Sequence, residues 1–120
     1  MSYDLFIFEK ISSFKTSIDV KSYLKDFLKY DKDVDYQSLD NCSPKIGDFA
    51  KEMFEKFPPL NGPYAPDDEI AFASEESEIH LTEYSIYEHG IYCSFAWDVS
   101  QEALDYVLEL TDKYKMGIVD

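Results

Sequence analysis

Residues 79–97 read IHLTEYSIYEHGIYCSFAW, and this stretch decides the fold. Two runs rich in β-branched and aromatic side chains, 79–88 and 91–97, flank the dipeptide His89-Gly90. The pattern is that of a β-hairpin whose two-residue loop uses the tolerance of Gly90 for positive φ. Such a loop pairs Glu88 with Ile91, Ile86 with Cys93, Tyr84 with Phe95 and Thr82 with Trp97. Side chains alternate along a strand, so Tyr84, Ile86, Ile91, Cys93, Phe95 and Trp97 share one apolar face, which must be core. Glu83, Ser85, Tyr87, Tyr92, Ser94 and Ala96 share the other, an amphipathic face that needs no helical cover.

Working outward, Tyr-Asp-Leu-Phe-Ile-Phe at 3–8 has almost no polar alternation and predicts a central strand buried on both faces. After serines and threonines suited to capping, Val20, Tyr23, Leu24, Phe27 and Leu28 recur at helical steps. A polar loop spans 30–41, and Ser43-Pro44 then supplies a cap and a first-turn proline. Behind it Ile46, Phe49, Ala50, Met53, Phe54 and Phe57 form one helical stripe, stopped by Pro58-Pro59. FPPLNGPYAPDD at 57–68 reads as an ordered irregular loop, with a weak strand at 70–73.

Past the hairpin, Asp98 or Ser100 caps a third helix, with Gln101 three residues after Asp98 as in a capping box. Ala103, Leu104, Val107, Leu108, Thr111 and Tyr114 are its buried side, and Gly117 stops it before a short edge strand at 117–119. The order is β-α-α-β-β-α-β in a single domain over 1–120. The expected class is α+β: one antiparallel or mixed four-stranded sheet with helices on one face. Right-handed crossovers place the first strand beside the third, a ferredoxin-like variant with an extra helix in the first crossover.

Charge is distributed unevenly. The chain of 120 residues has 25 acidic side chains against 11 basic ones, all lysine, for a net charge of −14. Residues 57–112 hold 13 acids and no lysine. Such a field repels phosphate and anionic lipid and attracts a cation or a basic protein surface. Like charge also keeps a protein soluble, but solubility does not require a lysine-free half. No apolar run approaches the roughly 20 residues of a bilayer span, and no secretory signal is visible, so a cytoplasmic location is expected.

Signatures of chemistry are missing. Neither GxGxxG, GxxxxGK[ST] nor GxSxG occurs, and no arginine is present to grip a phosphate or carboxylate. Cys93 reads as a small core residue and Cys42 as a loop residue before a helix. Neither shares a metal-ligand spacing with His80, a strand-face residue, or His89, a turn residue. Asp67, Asp68 and Glu69 lack the alternation of a calcium loop. No enzyme, cofactor or metal is expected.

A binding surface remains. Asp67, Asp68, Glu69, Glu75, Glu76 and Glu78 precede a hairpin bearing Glu83, Tyr87, Glu88 and Tyr92, with Tyr64 in the proline loop. Carboxylates beside tyrosines suit a basic protein: charge speeds encounter, and tyrosine adds buried area at low entropic cost. Alternatively Tyr87 and Tyr92 merely cover the sheet. Another alternative is a small-ligand or enzymatic pocket at Tyr64, Tyr84 and His80, between the proline loop and the hairpin. A third is a housekeeping protein-interaction subunit.

SYDLFIFE at the start, FPPLNGPYA, YSI, IYCSFAW and a closing KMGIVD together resemble a family of small acidic bacterial proteins. The likeness spans nearly the whole chain, and its motifs are structural. Members of that family resemble immunity proteins, which neutralise cognate toxins in interbacterial competition. The resemblance implies a cationic toxin C-terminal domain, of which a nuclease is one kind, as partner. Lys115 and Met116 stand where members carry a His-Gly pair, so no role of that histidine passes to this chain.

Overall fold

The hydrophobic pattern closes into one four-stranded antiparallel sheet. In the computed structural model, which describes residues 2–10, 37–40, 42–60 and 62–119, the sheet order is β2-β3-β1-β4. The strands are β1 (Ser2–Glu9), β2 (Glu83–Ile86), β3 (Gly90–Ala96) and β4 (Met116–Val119). β1 is central, as its unbroken apolar run requires: it pairs with β3 from Ser2↔Ala96 to Phe8↔Gly90, and with β4 from Phe6↔Val119 to Glu9↔Met116. Leu5 and Ile7 are buried on one face and Phe6 on the other. Every neighbouring pair is antiparallel, so the mixed option falls away; β1 and β2 run parallel but are separated by β3.

The helices are α1 (Pro44–Lys56), α2 (Asp68–Ala71), α3 (Glu75–Ile79) and α4 (Ser100–Tyr114), the last preceded by a 3-10 turn at Trp97–Val99. The Ser43 hydroxyl caps α1 by accepting from the Ile46 amide. Ile46, Phe49, Ala50 and Met53 bury its stripe against Leu5, Ile7, Ile91, Cys93 and Phe95, where Ala103, Val107 and Leu110 of α4 join them. Both long helices thus cover one sheet face. The earlier helix expected from Val20 to Leu28 lies outside the described residues.

The C-terminus of α1 anchors everything after it. Proline prevents continuation, and the carbonyls this exposes find partners elsewhere. The Tyr84 hydroxyl donates to the Phe57 carbonyl at 2.6 Å and the Thr82 amide to the Pro58 carbonyl at 2.9 Å; inside the last turns of α1, the Tyr106 hydroxyl also donates to the Glu52 carbonyl at 2.8 Å. The Phe57 ring meets Phe95 edge-on at 5.2 Å and lies 5.3 Å from the His80 ring.

Several expectations are corrected. Ile86 pairs with Ile91 and Tyr84 with Cys93, and the Tyr87 amide donates to the Gly90 carbonyl, so the two-residue loop is Glu88-His89, one position earlier than expected, and the register moves by two. A shift of two preserves the faces, which is why the core face holds. Trp97 is the exception: it turns out into the 3-10 segment and is 52% exposed, edge-on to Tyr3. Gly90 does not use positive φ; its missing Cβ makes room for the buried Phe6 ring, whose tip would be 2.5 Å away. Residues 70–73 are no strand, because Asp68–Ala71 winds into α2. α4 has no side-chain cap, and it ends at Lys115, which takes the left-handed conformation at φ 55. Gly117 instead lies within β4, under the Phe8 ring.

Candidate partner-binding surface

Two short helices, with the residue that caps the first, carry six of the thirteen acids in the lysine-free stretch. α2 has Asp68 and Glu69 in its first turn after Asp67; α3 has Glu75, Glu76 and Glu78 after Ser74. The Ser74 hydroxyl caps α3 by accepting from the Ser77 amide at 3.0 Å. Carboxylates in a first turn are favoured by the unpaired amides there, so the acidity helps these short helices form. α2 and α3 pack together. All six carboxylates belong to exposed residues. Among them stand two apolar side chains that the fold leaves in water, Ile70 at 64% and Phe72 at 55% exposure. Only Ala71 of that run turns inward.

Beside this surface lies a groove of about 400 Å³, walled by the end of α1, the two short helices and the start of α4. Pro58, Pro66 and Ile70 give it apolar walls, and Glu55, Glu76 and Glu102 bring carboxylates. His80 occupies one side. Its Nδ1 is 2.7 Å from the Glu76 carbonyl and its Nε2 2.9 Å from Glu102 Oε2. Both partners accept, so the doubly protonated imidazolium satisfies both contacts. Burial pulls the His80 pKa down, but the Glu76 carbonyl and the Glu102 carboxylate outweigh it and raise it above the usual histidine value. Burial works on Glu102 in the opposite sense, and His80 and Lys56 together hold its carboxyl below the usual range. Lys56 Nζ is 3.5 Å from Glu102 Oε1 and 5.1 Å from the centre of the Tyr106 ring.

The expected surface residues separate into groups. Asp67, Asp68, Glu69, Glu75, Glu76 and Glu78 come together on α2 and α3. Glu83 is exposed at the first position of β2. Glu88 lies at the opposite end of that hairpin arm, exposed, its carboxylate 3.5 Å from His89 Nε2. Tyr87 is not a surface tyrosine: it is 7% exposed and packs edge-on against Phe6. Tyr92 is half-buried on the sheet face away from α1 and α4, donating to Asp4 at 2.9 Å. Burial and that carboxylate push its pKa to about 12. Tyr64 is at the edge of exposure, stacked on Phe54 at 5.7 Å, with its hydroxyl accepting from the Leu39 amide.

Among the described residues, Tyr64, Tyr84 and His80 are not brought together in one groove. Phe54 lies between the two tyrosines, 5.7 Å from Tyr64 and 5.0 Å from Tyr84, and Tyr84 is buried. His80 is not on a strand face; it terminates α3 and lines the groove. The groove residues Glu55, Ile70, His80 and Glu102 were not singled out from the sequence as one site. The exposure of Ile70 and Phe72 had a signal: Asp67 and Ser74 are cap residues bracketing the run, which argues for helix over strand.

Both cysteines are free, and burial pushes the Cys93 thiol pKa far up, so it stays protonated. Among the described residues, no three His, Cys, Asp or Glu side chains are grouped to hold a metal ion. No helix among them is long and apolar enough to cross a membrane. Comparison of the chain with protein-family models, curated proteins and solved structures gives no match.

Proposed function

We propose that this protein binds and neutralises a cationic toxin domain, as an immunity protein, through the acidic surface of α2 and α3. The observation that carries the reading is the juxtaposition on those two helices of six exposed carboxylates with the exposed Ile70 and Phe72. Carboxylates alone would serve solubility. Apolar side chains left among them supply the desolvated contact area that a stable protein interface needs. A toxin that grips phosphate must itself be basic, and a negatively charged surface competes for the same site. The toxin as partner is what the likeness read from the sequence motifs adds; the basic character of the partner comes from the charge. Acting inside the cell against an incoming toxin, the protein needs no cofactor and performs no catalysis.

Co-expression tests this reading. The toxin candidate is the C-terminal domain of the protein encoded immediately upstream. Wild type should restore growth of cells expressing that domain, and Glu75→Lys/Glu76→Lys/Glu78→Lys should not. Equal protection by the triple variant would refute the assignment of the surface.

A further inference from the structure

We infer that the groove between the end of α1, the short helices α2 and α3, and the start of α4 seats an arginine side chain of the basic partner. The inference rests on the proposed binding of a cationic protein and names where its anchor goes. Three glutamates line the groove, but they are not equivalent. Glu102 already has two cations, Lys56 at 3.5 Å and His80 at 2.9 Å. Glu55 and Glu76 have no ion pair among the described residues. The groove lining therefore sets three glutamates against two described cations, Lys56 and His80, beside walls of Pro58, Pro66 and Ile70.

That combination matches arginine in chemistry. The methylene stem lies on apolar walls, and a planar fork of donors engages separate carboxylates in a way an ammonium point charge does not. The volume of about 400 Å³ leaves room for a guanidinium with its stem. Lys56 displays a related arrangement on the far wall, with its ammonium between the Glu102 carboxylate and the Tyr106 ring. A free small cation is the weaker fit, because the exposed Ile70 and Phe72 continue the surface beyond the groove. A partner segment covers both.

Fluorescence anisotropy at low salt tests the proposal, using a fluorescein-labelled peptide of alternating glycine and arginine and its citrulline counterpart. Wild type should bind the arginine peptide and not the citrulline one. Glu55→Gln/Glu76→Gln should weaken binding about tenfold, the loss expected when a charge-assisted pair in a partly dry site is removed. Asp67→Asn/Asp68→Asn removes the same charge outside the groove and should weaken it about threefold or less. Ser77→Trp fills the groove without changing charge, keeps the backbone amide that Ser74 caps, and should also weaken binding. Should that variant melt lower than wild type, the isosteric Gln pair decides alone. Equal losses from the two charge-removing pairs would overturn the groove as anchor and leave the acidic surface standing. Equal binding of the arginine and citrulline peptides would overturn both readings.

Discussion

His80 Nε2 lies 2.9 Å from Glu102 Oε2, tying the end of α3 to the first turn of α4. Through that contact the short acidic helices, which bury little of their own, are held on the main body. The tie between α3 and α4 thus involves a histidine whose pKa the folded structure raises.

The folded state raises the His80 pKa, so it binds the proton more tightly than the unfolded chain does. The stability contributed is fully present below the ordinary histidine value and is lost as pH rises through the higher folded value. Glu102 is half-exposed, which limits the contribution to about 0.5–1 kcal/mol. Urea denaturation at pH 6 and pH 8 should show wild type losing stability relative to His80→Asn across that interval. Parallel behaviour of the two proteins would dissociate His80 from this role.

Gly90 faces a buried ring. A Cβ there would come 2.5 Å from Phe6 Cζ and 3.2 Å from the Ile7 carbonyl oxygen. Phe6 is 1% exposed and has no free space into which to turn. Gly90→Ala should cost about 1–3 kcal/mol through overpacking. An unchanged urea midpoint would contradict the close approach.

Lys115 adopts φ 55 where α4 ends, a conformation costly for a residue with a Cβ. Among the described residues, its ammonium makes one exposed contact, with Asp112 3.9 Å away. Lys115→Gly should therefore raise stability by about 0.5–1 kcal/mol, measured by the same denaturation. Destabilisation would mean that the lysine side chain matters more than its backbone.

Long elements were legible in the sequence because they repeat a period against one core. The stripe from Ile46 to Phe57 is buried as read, and β1 is central as its apolar run required. The hairpin was legible in its faces but not its register, since moving the turn by one position shifts the pairing by two and leaves the alternation unchanged. Short elements were less legible. Ile70, Ala71 and Phe72 look like strand residues, yet Ile70 faces water on a four-residue helix and Phe72 faces water just after it. Tyr87 lies on the face its alternation gives, with Tyr92 and Phe6, but its ring covers Phe6 and is buried, as the alternative reading of a tyrosine that covers the sheet has it. The groove was illegible for a different reason. Glu55, His80 and Glu102 are brought together only by tertiary packing, and no spacing along the chain encodes that.

The central claim is that the acidic face of α2 and α3 steers a basic toxin domain into place. The most direct measurement is the association rate constant with the upstream-encoded domain, by stopped flow, across ionic strength for wild type and Glu75→Lys/Glu76→Lys/Glu78→Lys. Steered wild-type association should slow steeply with salt, and the triple variant should start at least about tenfold slower with a much flatter dependence. Identical rates and identical salt slopes for the two proteins would contradict the account.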